Sequence, residues 1–170
     1  MTVQLAYRHI FKVSPETYWR ELCLNLDYQE RMFREALGCP RMEVLELSGD
    51  YEHGMRRKLR FTKHIDAPAA ISKMFGSAVT MEEHSEFDAK AQRWSYRMVP
   101  ALMSERIDIR GTVEVAPHAE GVEQRATNTL ACRIFGLGTI IEHFLNKSTE
   151  EGSRDKNDFT ERYIAEKGLR

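Results

Sequence analysis

Most of the short signals that name a chemistry are missing from this chain. There is no GxSxG, no Walker-type phosphate loop and no strand-bounded GxGxxG, so the common nucleophile-elbow and nucleotide-cradling sites are excluded. Cysteine is scarce. Cys23, Cys39 and Cys132 are odd in number and fall in neither CxxC nor mixed Cys/His spacing, so buried reduced thiols are expected, with no disulfide, metal site or cofactor. No segment approaches the ~20 apolar residues needed to span a bilayer. The opening "MTVQLAYRHIFKVSPETYW" lacks a basic leader, an apolar run and a small-residue cleavage site, so a cytoplasmic protein without stable membrane insertion is expected. Nor is one sign of charge in excess. Lys and Arg number 25 against 26 Asp and Glu, which gives a formal net charge of -1 and no global pull toward nucleic acid.

What remains is pattern. The 170 residues, 42% hydrophobic and 30% charged, suit one domain over residues 1–170. Val3, Leu5, Tyr7, His9, Phe11 and Val13 alternate with polar positions, the period of a half-buried strand that stops at "SPE". Ser14 caps a helix predicted over 15–24 with Pro15 at its first position, and a second helix is expected over 26–37, stopped by Gly38. Strand patterns follow at 41–49, 54–64, 78–88, 92–99, 104–116 and 121–134, with a short helix at 68–75 between the second and third of them. Their hairpin-length joints argue for antiparallel neighbours. After Gly136 and Gly138 the spacing predicts a helix over 139–167, about 40 Å long if unbroken.

A curved antiparallel sheet needs one face covered, and the terminal helix is the element left to cover it. That helix should pack through Ile140, Ile141, Phe144 and Leu145 at one end and through Phe159, Tyr163 and Ile164 at the other. Between these lie Ser148 and Gly152, too small to fill the space beneath them, so either a cavity forms there or Gly152-Ser153 kinks the helix.

The order of elements resembles the helix-grip fold of the START-like (SRPBCC) superfamily, which also includes polyketide cyclases and plant pathogenesis-related ligand binders. "FKVSPETYWREL", "MVPALMSERIDIRGTVEVAP" and "RIFGLGTIIEHFL" are similar to segments of the bacterial family called domain of unknown function 2505. The resemblance covers nearly the whole chain. It implies an α+β fold in which a curved antiparallel sheet of about seven strands, with two short helices after strand 1, carries a long C-terminal helix across its concave face. It also implies a hydrophobic cavity between sheet and helix, and it supplies no catalytic residues.

Alternation places Tyr7, His9, Phe61, Met81, Trp94 and Tyr96 on inward faces, together with Met98, Ile109 and Asn128. With Phe144, Ser148 and Gly152 from the helix, these are the candidate ligand-binding residues. Aromatic rings and thioethers suit an adaptable pocket, and they suit a plain core equally well. His9 and Asn128 fall on apolar faces of strands expected to be neighbours. They could satisfy each other, Tyr7 or Tyr96, or orient a ligand, or, for His9, act as an acid–base group. "RRKLR", residues 56–60, reads as a solvated cross-strand ladder against a strand that carries Glu82, Glu86 and Asp88 on one side and Glu83 on the other, with Arg57 and Lys63 sharing the face of Leu59 and Phe61 at its two wet ends.

Three functions stay open at this point. The first is binding of a hydrophobic or amphipathic small molecule, a lipid among the candidates, reached through the helix at 68–75 and the Gly49–Gly54 turn. The second is a cyclase-like or hydrolase-like enzyme using His9, and the third is a protein-interaction module with a filled core.

Overall fold

The computed structural model describes residues 2–134, 136 and 138–170. Strands β1 (Thr2–Phe11), β2 (Arg41–Asp50), β3 (Gly54–His64), β4 (Ala78–Asp88), β5 (Arg93–Pro100), β6 (Ile107–His118) and β7 (Gly121–Cys132) form one sheet in the order β1-β7-β6-β5-β4-β3-β2. Every neighbouring pair is antiparallel. β2 through β7 follow one another as antiparallel neighbours, with a helix in the connection between β3 and β4, and β1 closes onto β7 from Thr2↔Ala131 to Phe11↔Val122. The helices are α1 (Pro15–Thr17), α2 (Leu26–Glu35), α3 (Ala69–Phe75) and α4 (Gly138–Lys167). This is the α+β helix-grip architecture expected from the sequence.

Local chemistry sets the element boundaries. The Ser14 Oγ accepts the Thr17 N–H at 3.0 Å and the Asn25 Oδ1 accepts the Tyr28 N–H at 3.1 Å, which caps α1 and α2. The first helix departs from the α form expected over 15–24: Tyr18–Cys23 continues α1 as a π-helical segment, burying Tyr18, Trp19, Leu22 and Cys23. β6 begins at Ile107, later than expected, because the Arg106 and Ile107 N–H groups both turn back to the Met103 carbonyl. Of the bend before α4, Phe135 and Leu137 lie outside the described residues.

α4 runs as one continuous helix through Gly152 and is not divided there. Its two ends belong to different cores. Toward the C-terminus, Phe159, Tyr163 and Ile164 join the main cluster with Tyr28, Met32 and Phe33 of α2. There the Tyr28 and Thr160 hydroxyls lie 2.7 Å apart and Arg31 grips Glu166 in a fork at 2.8 and 3.0 Å. Toward the N-terminus, Ile141 joins Ile71 and Cys132 in a second cluster, with Phe144 and Leu145 packed against it. Ile140, expected in that contact, is 42% exposed.

Candidate functional site

The pairing register builds the concave face in rows. One row runs Val44, Leu59, Glu83, Met98, Ile109, Leu130, Val3 across all seven strands. The next runs Leu47, Arg57, Ser85, Tyr96, Gly111, Asn128, Leu5, a mostly polar line across the middle of a largely apolar surface. Gly111 makes that line possible. A Cβ there would stand 2.5 Å from each of the Asn128 Oδ1, the Thr127 carbonyl and the Tyr96 Cζ, so only glycine lets the tyrosine ring cross its strand. The Tyr96 hydroxyl thereby donates to the Asn128 Oδ1.

Above these rows, the middle of α4 leaves a cavity of about 320 Å³. Its floor includes Phe61, Met81, Trp94, Met98, Ile109 and Leu130; its roof includes Leu145, Ser148, Thr149, Gly152 and Lys156; Gln29, Met32, Phe33 and Leu37 close one side. At Gly152 a Cβ would meet only the Leu37 Cδ2, at 3.7 Å, so the helix does stand clear of the sheet at this point.

Of the residues expected in the site, Tyr7, Phe61, Met81, Trp94, Tyr96, Met98, Ile109, Asn128, Ser148 and Gly152 all line this cavity. Phe144 does not; it faces an adjoining recess that it shares with Lys63, His64, His143 and Lys147. His9 is also outside the lining. It lies on the inward face of β1, but there the last turns of α4 pass close by, and its Nε2 meets the Glu161 Oε1 at 2.7 Å. Asn128 is satisfied by Tyr96, one of the partners anticipated for it.

The sequence reading missed how deeply the charge is placed. Arg57 was expected at a wet end of its face; it is 4% exposed, with its guanidinium donating to Glu83 at 2.7 Å and to the Cys23 carbonyl at 3.2 Å, and lying 4.5 Å over the Trp94 ring. Glu83, itself 6% exposed, also accepts the Ser85 hydroxyl at 2.7 Å. Alternation had put Arg57 and Glu83 on the inward face, but only the pairing register shows them adjacent under the helix. Lys156 was legible as well, four residues beyond Gly152 on the same helix face. Burial, then the Glu83 charge and Tyr7, pushes the Tyr96 hydroxyl well above its ordinary pKa, and burial followed by Glu150 raises that of Tyr7. Both phenols therefore stay protonated at neutral pH, and each hydroxyl can donate one hydrogen bond as well as accept.

The expected access routes separate. Lys63 and Ser148 border both the cavity and the adjoining recess, whose wall includes Pro68 at the start of α3, so this end is the mouth. The Gly49–Gly54 turn lies at the other end of β3, where Tyr51 stacks on Phe87 at 5.8 Å under Arg20; it contributes nothing to the lining and is not an access route. Among the described residues no group of His, Cys, Asp and Glu is placed to hold a metal ion, and no helix is long and apolar enough to cross a membrane.

A curved antiparallel sheet gripping a long terminal helix over a cavity is the START-like helix-grip fold. More narrowly, the chain belongs to the family described as "Protein of unknown function (DUF2505)", whose sequence model matches residues 6–164. Solved structures share the fold at low identity. TTHA0849 from Thermus thermophilus is 17% identical with a TM-score of 0.67, covering 97% of this chain and 97% of its own. The Zhui aromatase/cyclase from Streptomyces sp. R1128 is 12% identical with a TM-score of 0.64, covering 96% of each chain. The ginseng major latex-like protein 151 from Panax ginseng is 13% identical with a TM-score of 0.52, covering 91% of this chain and 97% of its own. No curated protein matches the sequence.

Proposed function

We propose that this chain is a cytoplasmic binding protein for a small hydrophobic or amphipathic molecule, held between the sheet and α4. The observation that carries the reading is the cavity under the small residues Ser148 and Gly152, whose volume of about 320 Å³ falls within the range of small-molecule sites. That volume suits one ring system or a single short acyl chain better than a two-chain lipid. Burial of apolar surface at ~25 cal/mol per Å² would supply the affinity, with the Tyr96–Asn128 line giving orientation.

The neighbouring fold includes a protein named as an aromatase/cyclase, which keeps a cyclisation reaction in view. His9 gives that reading no support, because its imidazole is tied to Glu161 away from the cavity. A module with a filled core is disfavoured by the cavity itself.

Gly152→Leu tests the proposal. The new side chain would occupy the cavity while removing a mid-helix glycine that costs roughly 1 kcal/mol. The uncharged fluorophore phenylnaphthylamine should brighten on binding the wild-type protein and not the variant, while urea unfolding shows the variant at least as stable. Equal binding by both, or none by the wild type, would overturn the reading.

A further inference from the structure

The polar groups lining the cavity are unbalanced in both charge and hydrogen bonding. Arg57, Lys63 and Lys156 are the cations of the lining, and Glu83 is its carboxylate. Arg57 engages Glu83 at 2.7 Å, while neither lysine has an ion-pair partner among the described residues. Two uncompensated positive charges therefore border a largely apolar space in a chain whose formal net charge is -1.

Donors are also in surplus. The Tyr7 hydroxyl and the Arg57 Nε are buried without partners. Three acceptors of the wall are already engaged: the Asn128 Oδ1 by Tyr96, the Gln124 Oε1 by the Tyr18 hydroxyl at 2.9 Å, and the Glu83 Oε1 by Arg57 and Ser85. Leaving buried donors unmatched is costly, and a molecule that brings acceptors and a negative charge would satisfy them and pair with a half-buried ammonium at once.

Lys156 is the better placed of the two lysines. It sits in the roof on the helix face that carries Ser148 and Gly152, and its positive charge reaches the Cys23 thiol in the cavity wall, as does that of Arg57. Lys63 stands at the mouth and is shared with the outer recess.

We propose that the cavity selects an organic anion, a small amphipathic carboxylate or sulfonate whose charged end pairs with Lys156 while its apolar body lies along Phe61, Met98 and Ile109 toward the mouth. This rests on the cavity reading above and deepens it by fixing the charge and direction of the ligand. A lipid alcohol or an uncharged polycycle of the same size would leave the positive charge of Lys156 unpaired.

Two fluorophores sharing one ring system make the test: anilinonaphthalene sulfonate, which is negatively charged, and phenylnaphthylamine, which is not. The wild-type protein should bind the sulfonate about tenfold more tightly, the effect expected of one charge-assisted contact. Lys156→Gln should abolish that preference, and Lys156→Arg should restore it. Equal affinities, or tighter binding of the neutral probe, would overturn the anion assignment and leave the cavity reading standing. A preference that survives Lys156→Gln would overturn the role of Lys156. Binding of neither probe would overturn the cavity reading and this inference with it.

Discussion

Arg57 shows how one side chain changes character with depth. Two residues away, Leu59 is completely buried, and Arg57 follows it inward by strand alternation. A guanidinium in that position is tolerable because Glu83 neutralises it, the Cys23 carbonyl accepts from it and the Trp94 ring lies under it. Removing one partner alone strands the other charge. Arg57→Met is therefore expected to cost about 3–5 kcal/mol in urea unfolding, and Arg57→Met combined with Glu83→Leu to recover most of that loss. If the double variant proves no more stable than the single, the two charges are not acting as a pair.

At the scale of elements, the outer face of the β3–β4 pair bears out the expected cross-strand ladder. Arg56 faces Glu86 at 3.5 Å, Arg60 meets Glu82 at 2.7 Å and Lys58 meets Glu82 at 3.3 Å. Glu82 is the hub, and hydrogen bonds from Arg60 first and then His84 hold its carboxyl down at about 2, against an ordinary value of 4.5. A depressed folded-state value means that the unfolded chain takes up the proton first as pH falls. The contribution of Glu82 is therefore complete above about pH 4.5 and is lost toward pH 2. Acid unfolding should show it: Glu82→Gln should lessen the fall in stability across that interval and lower stability modestly near neutrality, where the exposed partners are screened by solvent. An unchanged acid limb would place the pH sensitivity elsewhere.

For the whole molecule, the consequence of the architecture is linkage between ligand and stability. α4 is fastened at its ends by two separate hydrophobic clusters and bridges the cavity between them. A molecule bound beneath the bridge joins those clusters through its own apolar surface. At about 100 times its dissociation constant, anilinonaphthalene sulfonate should add roughly 2.7 kcal/mol of stability and raise Tm by about 5–10 °C. The same addition to Gly152→Leu should leave Tm unchanged. A rise in both proteins would mean that the probe binds outside the cavity.

Periodicity, capping and breakers were enough to determine the order of elements, the antiparallel sheet and the covering helix, because each depends on neighbours a few residues apart. Ser148 and Gly152 even marked where the roof would be thin, since a helix shows its missing bulk directly in its sequence. The tertiary structure alone decided which inward residues share the enclosed space. His9 and Asn128 both point inward, yet His9 falls under the last turns of α4 beside Glu161, while Asn128 falls in register with Gly111 and Tyr96. The buried partnership of Arg57 and Glu83 was likewise hidden, because it depends on strand register and on the depth of cover above it. Neither quantity is carried by any short window of sequence.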